Sequence, residues 1–525
     1  VAVDRVEVLE GGASDLYGSA ALGGVVQALE RKDAPAAAIE VSGGTEGTAA
    51  ASAYAGVRAG PWRVSTSGEA FTTDGYVLVP EDERGPVDTP SGSEHLSGRL
   101  LLERRLGAQA SVFVRGALFG ESRTNGTPLQ VNDTDAQELS LGADAGTSGN
   151  GLLSLRAWYG TQDYHQTFSA VSADRASETL TRVQDVPSES AGASVQWSRG
   201  LGARHALLVG AEARRVDGTS DEIPYAAGRP LPATSAGGVD RTLAVFAADR
   251  IGLGPSALLT LGARLDSWDG GEESVTELSP RASLLVRAGS RVVVTAAGYG
   301  AFRSPTLNEL YRSFRVGNTV TQANPELVPE RLRGVEAGVA WSRSDGRLRL
   351  RAVGFAARIE DPVANVTLAS TPTLVTRRRE NLGENRSLGV ETDAEARVDA
   401  HLTARLGYGY TAATIRSYPA DRSLEGNDTP QVARHQLTFG LLFDHPRLFE
   451  LSLQGRASSR QFEDDQNRLP LSGYFTLDAQ VSRRLKRMRA FVALENVTGE
   501  RYAVGLTPTP TEGPPFTLRA GLRFE

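Results

Sequence analysis

The sequence predicts an all-β fold, a transmembrane antiparallel barrel of about 22 strands that closes on itself. Three observations predict it. Segments of roughly 10–15 residues alternate apolar and polar side chains at period two, the signature of a strand with two unlike faces. Very short turns alternate strictly with long polar connections, as in a barrel with tight turns at one end and large loops at the other. The strand count between Ala37 and Glu525 is even, so both ends fall on one side and the sheet can close.

The alternation is clearest in four segments. From Leu259 to Asp266, Leu and Ala take one face and Thr, Gly, Arg and Asp the other. Leu402, Ala404, Leu406, Tyr408 and Tyr410 stand opposite Thr403, Arg405, Gly407 and Gly409. Phe449, Leu451 and Leu453 alternate with Glu450, Ser452 and Gln454, and Phe475, Leu477, Ala479 and Val481 with Thr476, Asp478, Gln480 and Ser482. A soluble β-sandwich alternates too, but its strands have a typical length of about five or six residues, half of what is read here. Counting 373–399 as one long strand completes the set.

Short turns fall at Leu106-Gly107-Ala108, Gly200-Leu201-Gly202, Gly254-Pro255, Ala288-Gly289-Ser290, Ser344-Asp345-Gly346, His445-Pro446 and Lys486-Arg487. Long polar connections lie between them, near 73–94, 121–135, 164–180, 217–240, 303–330, 416–430 and 501–514. Closure matters because an open edge in lipid leaves N–H and C=O groups unpaired, each costing several kcal/mol. The polar face lines a wet lumen rather than a packed core. Trp158, Tyr159, Trp197, Trp268, Trp341, Tyr474, Phe516 and Phe524 fall near strand ends. As a set they resemble interfacial girdles; one by one, ordinary packing explains each equally well.

Length alone, 525 residues, would suggest three or four domains. No window approaches the roughly 18 consecutive apolar residues of a membrane helix, and the mean hydropathy is −0.25. Cysteine is absent, which excludes disulfides and thiolate metal sites and suits an oxidising compartment. The net charge of −7 leaves no general basic surface for nucleic acid. The chain starts at Val1 with no leader pattern, and its first residues already read as strand, so a fragment is expected.

Residues 1–36 differ from the rest. Val1 to Val8 reads as a strand, Gly11-Gly12 breaks it, Ser14–Tyr17 forms a turn or helix, and Val25–Leu29 a second strand. A unit this small does not hold itself together and must lean on the barrel of residues 37–525. Asp4-Arg5-Val6-Glu7-Val8-Leu9, then Gly11, then Leu16-Tyr17-Gly18-Ser19-Ala20-Ala21-Leu22-Gly23-Gly24-Val25-Val26, resembles the closing stretch of the plug domain of TonB-dependent outer-membrane receptors. Later segments agree: Phe302-Arg303-Ser304-Pro305 through Tyr311, Asn324-Pro325-Glu326-Leu327 with Pro329-Glu330, and the Gly-Val-Glu triplets ending at Glu336 and Glu391. The resemblance spans the chain and implies a 22-stranded barrel holding a partial plug, residues 1–36, in its lumen.

Departures from the family pattern carry meaning. Glu10-Gly11-Gly12 stands where relatives commonly have Arg-Gly-Pro, which removes one positive plug charge. Most of a relative's plug, and the segment that couples to TonB, have no counterpart here, so an unusually open lumen is expected. Phe524 is followed by Glu525, whereas the family usually ends on an aromatic residue. Phe516, Leu518, Ala520, Leu522 and Phe524 still alternate as a barrel-assembly signal does, and as any last strand does.

No catalytic constellation is present in the sequence, so an enzyme is not expected. His95, His165, His205, His401, His435 and His445 are scattered without ligand spacing, and no metal site or cofactor is expected. Gly289-Ser290-Arg291 lies in a strand-to-strand turn, not a nucleophile elbow. The acidic pairs Asp464-Asp465 and Glu272-Glu273 lie in loops and are expected to be solvated surface.

The resemblance implies an energised transporter of a scarce nutrient, of the ferric-siderophore or cobalamin class. A passive porin-like channel and a soluble β-rich binding protein are the alternatives. The implied partners are a TonB-type energy-coupling protein, outer-membrane lipid and a small chelate or cobalamin-type ligand, with the chain a monomer. The resemblance places Arg5 near Glu336 and Glu391, a latch that Glu7 would join through charge-assisted hydrogen bonds. The Phe-Arg-Ser-Pro and Asn-Pro-Glu-Leu pair resembles the boxes that flank a histidine in haem receptors, yet Thr306 to Ala323 contains none. Haem iron needs an axial His, Cys, Met or Tyr, which leaves Tyr311 in that interval. A chelate bound through its organic shell needs only loop cations and aromatics, for which Tyr311, Arg312, Phe314 and Arg315 are the candidates.

Overall fold

A computed structural model describes residues 3–31, 36–147, 149–271, 273–316, 319–371 and 374–525. Twenty-two antiparallel strands form one closed barrel. The first wall strand, Ala36–Gly44, closes on the last, Thr517–Phe524, with Ile39 opposite Phe524 and Gly44 opposite Arg519. Glu178–Asp185 and Ser188–Leu201 make one wall strand: both lie between Gly151–Val171 and His205–Ala226, broken where Pro187 has no N–H to give the ladder.

The wall is inside-out relative to a soluble protein. Along Ala257–Gly270, Leu261 and Leu265 are 43% and 44% exposed, while Arg264 and Asp266 between and beyond them are 2% and 0% exposed. Period two therefore sends leucine to lipid and charge to the lumen. Each short turn read from the sequence joins consecutive wall strands, with Gly202, Gly289 and Gly346 at positive φ where a side chain would be strained.

The other end departs from the expectation. The connections near 121–135, 164–180 and 217–240 are largely strand: Gly151–Val171 and His205–Ala226 run 21 and 22 residues and carry their hairpins far beyond the apolar band. The segment 373–399 is not one strand. Leu374–Asn381 folds back on Val363–Thr371, and the wall strand begins at Glu384; residue 373 lies outside the described residues. With Phe314–Val316 and Thr319–Gln322 this hairpin forms a four-stranded sheet at the loop end, in which Thr319–Gln322 runs parallel to Leu374–Asn381.

Two apolar clusters fix the loops there, Trp268 with Leu310 and Leu327, and Val366 with Leu382, Ile415, Tyr418 and Leu424. Trp268 is thus no girdle residue: it is fully buried and donates its indole N–H to Asp240 at 2.8 Å. Tyr474 likewise stacks on Tyr502, ring centroids 4.1 Å apart, and Trp158 points to the face opposite Tyr159. Asp464 and Asp465 are buried rather than solvated, because each accepts loop N–H groups. Glu272 lies outside the described residues.

The N-terminal segment pairs Val3–Glu10 with Gly24–Glu30 as a hairpin. Its middle, Ser14–Tyr17 and Ser19–Ala21, packs on the wall strands Ala257–Gly270, Glu273–Ala288 and Val292–Arg303. Val1 and Ala2, which the strand reading included, lie outside the described residues.

Candidate functional site

The N-terminal segment meets the wall through small residues and backbone. Gly12 gives its carbonyl to Arg281 at 2.6 Å, and a Cβ there would lie 2.9 Å from both Ala301 and Tyr299. Gly18 has φ 72°, and a Cβ would come within 3.0 Å of the Arg264 guanidinium. Ser14 Oγ lies 3.4 Å from the Phe302 carbonyl, and the hydroxyls of Ser19 and Ser304 are 2.8 Å apart. Asp15 is buried; burial pushes its carboxyl up, and Arg281 pulls it back. Arg264 is locked onto Asp266 at 2.9 Å, both fully buried. Gly12 and Gly18 therefore mark where the chain needs no side chain so that wall groups can approach, whereas Gly24 makes room for the Leu9 carbonyl of its own hairpin.

Arg5 does not lie between Glu336 and Glu391. Its guanidinium pairs with Glu7 at 2.7 Å and Asp4 at 3.7 Å, all three side chains more than half exposed. Residues two apart share a face of the strand, and that local pairing wins where the strand stands free in the lumen. Glu336 lies beside Gly11 and Tyr299 instead, and Glu391 beside Glu10. Charged contacts to the wall are made instead by Glu10, 3.3 Å from Arg351, and by Glu30, 2.5 Å from Arg99.

Directly above this dock, toward the loops, a cavity of about 580 Å³ opens between Ser19, Arg214, Arg303, Tyr164, Tyr311 and Arg312. Its edge is the short helix Leu307–Tyr311, which starts in a capping box: Thr306 Oγ1 accepts from the Glu309 N–H, and Glu309 accepts from the Thr306 N–H at 2.8 Å. Arg303 grips the Glu309 carboxylate with two nitrogens at 2.9 and 3.1 Å and also bonds Glu330. Burial alone would raise the Glu309 carboxyl, but the Arg303 and Thr306 hydrogen bonds outweigh it and hold the group below the ordinary range. Arg379 closes the helix's other end, donating to the Asn308 and Arg312 carbonyls at 2.6 and 2.7 Å. Burial, and then the neighbouring Arg312, lower its guanidinium.

Of the four expected ligand contacts, two line the cavity. Tyr311 lies there against Gly238, where a Cβ would be 2.5 Å from its ring. Arg312 is fixed by Gln184 and Gln166, each 2.7 Å away, and stands 5.1 Å over the Tyr164 ring. Phe314 lies instead beneath Arg379, on the far side of the helix with Asn308 and Glu309. Arg315 stands near Arg182, its guanidinium lowered by burial first and by that charge second. Sequence reasoning missed Arg379, Gln184 and Gln166, which are far from the helix in sequence and carry no motif. The cavity offers cations held rigidly beside aromatic faces, suited to a bulky polar molecule with anionic or aromatic groups.

A family model described as TonB dependent receptor-like, beta-barrel, matches residues 81–497. Among solved structures, the copper transporter OprC superposes with a TM-score of 0.83 at 13% identity, covering 100% of this chain and 86% of that one. The ferric yersiniabactin uptake receptor FyuA from Yersinia pestis gives 0.81 at 15% identity, over 100% and 85%. The ferric preacinetobactin receptor BauA from Acinetobacter baumannii gives 0.77 at 18% identity, over 100% and 85%. At these identities the likeness is one of fold.

Proposed function

Since the chain belongs to the TonB-dependent receptors, a family of outer-membrane transporters and receptors rather than enzymes, we propose that it imports a scarce nutrient as a bulky chelate. The ligand class is a ferric siderophore or cobalamin, and the energy comes from a TonB-type coupling protein. The observation that carries this reading is the cavity itself: its floor is Ser19 and Ala20 of the docked segment, and its wall holds Tyr164, Tyr311 and Arg312. A ligand seated there touches the element whose movement would open the lumen.

Bare copper suits this chain poorly. Soft ligands are needed, cysteine is absent and the single methionine, Met488, opens a wall strand after a short turn. Haem is disfavoured by the lack of histidine between Thr306 and Ala323. An organic shell presenting carboxylate or phenolate oxygens is met by Arg312 and the two tyrosines without any metal ligand from the protein.

Equilibrium quenching of tryptophan fluorescence by a panel of ferric chelates and cobalamin tests the ligand class. Saturable binding of one of them, weakened about tenfold or more by Arg312→Ala, is expected. Tight haem binding with no response to the chelates overturns it. Uptake that persists after the proton-motive force is collapsed overturns the energised mechanism and favours a passive channel.

A further inference from the structure

The outer wall carries a row of three arginines that transport does not use. Arg333 on Glu330–Ser342 lies directly opposite Arg358 on Leu348–Glu360, and Arg358 directly opposite Arg386 on Glu384–Arg397. Each is in phase with exposed apolar residues of its own strand: Val335 and Val339, Leu350, and Leu388 and Val390. The opposite phase of these strands holds Glu336, Arg351 and Glu391, which face the N-terminal segment. The arginine row therefore lies on the lipid side.

Its height is set by Trp341, on the same face beside the short turn at 343–347. Arg333 and Trp341 are separated by about 26 Å of strand, about 20 Å of height at a tilt of about 40°, against an apolar band of about 25 Å, and the long arginine side chains reach across the remaining few Å. The row thus stands at the loop-side rim of the bilayer, where headgroups begin.

Like charges directly opposite across a ladder repel. Arg358 is compensated by Glu360 at 3.0 Å and Glu384 at 3.1 Å. Among the described residues, the side chains of Arg333 and Arg386 have no hydrogen-bond or ion-pair partner. The contrast lies on the same outer face: Arg215 opposes Arg241, and each has its own carboxylate, Asp217 at 2.7 Å and Asp269 at 3.5 Å. Adjacent strands are about 4.8 Å apart, so the row presents three guanidiniums over about 10 Å. A phosphate accepts paired N–H donors from arginine and would remove the repulsion.

We propose that Arg333, Arg358 and Arg386 bind the phosphorylated headgroup of an outer-leaflet lipid whose acyl chains run down the apolar face beneath them. The occupant is a lipid rather than a free anion because the row opens onto the apolar band and not onto the lumen.

Native mass spectrometry of the folded protein titrated with diphosphorylated lipid A reads the site directly. Arg333→Gln/Arg386→Gln should lower retention about tenfold or more, while Arg215→Gln/Arg241→Gln, whose arginines are internally paired, should change it little. Phosphatidylcholine should be retained equally by all three proteins. Equal retention of lipid A by wild type and the Arg333/Arg386 variant overturns the proposal, and so does inorganic phosphate binding as tightly as the lipid. Folding is checked by heat-modifiable migration on a gel. Should the glutamine variant not fold, raised salt decides with the wild type: retention must fall, and unchanged retention overturns the site.

Discussion

Glu10 and Arg351 join the N-terminal segment to the barrel wall, Oε2 to Nη2 3.3 Å. Arg351 also holds Asp393 at 3.4 Å, and Glu391 lies beside Glu10. One guanidinium thus serves several carboxylates, and the polarity is reversed from a plug arginine meeting wall glutamates. The side chains are 56% and 49% exposed, so the pair alone contributes no more than about 1 kcal/mol.

Arg351→Glu places a fourth carboxylate beside Glu10, Glu391 and Asp393. Amide hydrogen exchange in residues 3–10 should quicken several-fold. Adding Glu10→Arg to that variant should restore slow exchange, since the new arginine meets three acids. Unchanged exchange in the single variant would show that the pair does not hold the segment.

A second prediction concerns Gly18. A side chain there is strained by φ 72° and meets the Arg264 guanidinium, which cannot retreat because Asp266 holds it in full burial. Gly18→Val should weaken docking by about 1–3 kcal/mol. Gly23→Ala is the control: a Cβ there has nothing within 4 Å, and its effect should stay within about 0.5 kcal/mol. Proteolysis within residues 3–30 reads both. Equal cleavage of the two variants would contradict the docking geometry.

How much of this was legible depends on the range of the interaction. Leu261, Arg264 and Leu265 gave the wall and its faces because period two is a local property that lipid on one side and water on the other both enforce. Gly202 and Gly289 gave the turns because positive φ restricts residue type. The outer part of the hairpin 205–226 with 234–252, near 217–240, reads as a loop because beyond the bilayer the outer face has no need to be apolar. The fold-back of Leu374–Asn381, the burial of Trp268 and the docking of Asp465 rest on loops distant in sequence meeting one another. At the candidate site, Tyr311 and Arg312 were legible as an aromatic and a cation in a long loop, while the helix Leu307–Tyr311 was not. Gln166, Gln184 and Arg379, which hold that helix, come from strands distant from it in sequence and leave no pattern.

Asp465 supports a third prediction. Its carboxylate accepts from the Thr367 N–H at 3.2 Å and hydroxyl at 3.0 Å, fastening the loop at 461–471 to the strand Val363–Thr371. Among the described residues, the Asp464 carboxylate beside it accepts only from the Arg468 and Leu469 N–H groups of its own loop. Asp465→Ala leaves a half-buried N–H unmet and should cost about 1–3 kcal/mol of local stability. Faster exchange should spread to residues 363–371. Asp464→Ala should quicken exchange only within 461–471. The same pattern in both variants would mean that Asp465 does not bridge the loops.

The pH dependence of the cavity edge follows from Glu309. Its carboxyl is held below the ordinary range, so the native state favours the charged form more than the unfolded chain does. The stability it contributes is complete above the unfolded value of about 4.3 and is lost as pH falls through the lower native value. Protonation removes the Arg303 grip and one half of the capping box, so the helix Leu307–Tyr311 should loosen below that window while the wall strands stay protected. Hydrogen exchange of the Leu310 and Tyr311 amides, corrected for the intrinsic pH effect and compared between pH 6 and pH 3, measures this. Glu309→Gln should show the loosened helix already at pH 6 and little further change at pH 3. A wild-type helix equally protected at both values would mean that the Arg303–Glu309 pair does not set the cavity edge.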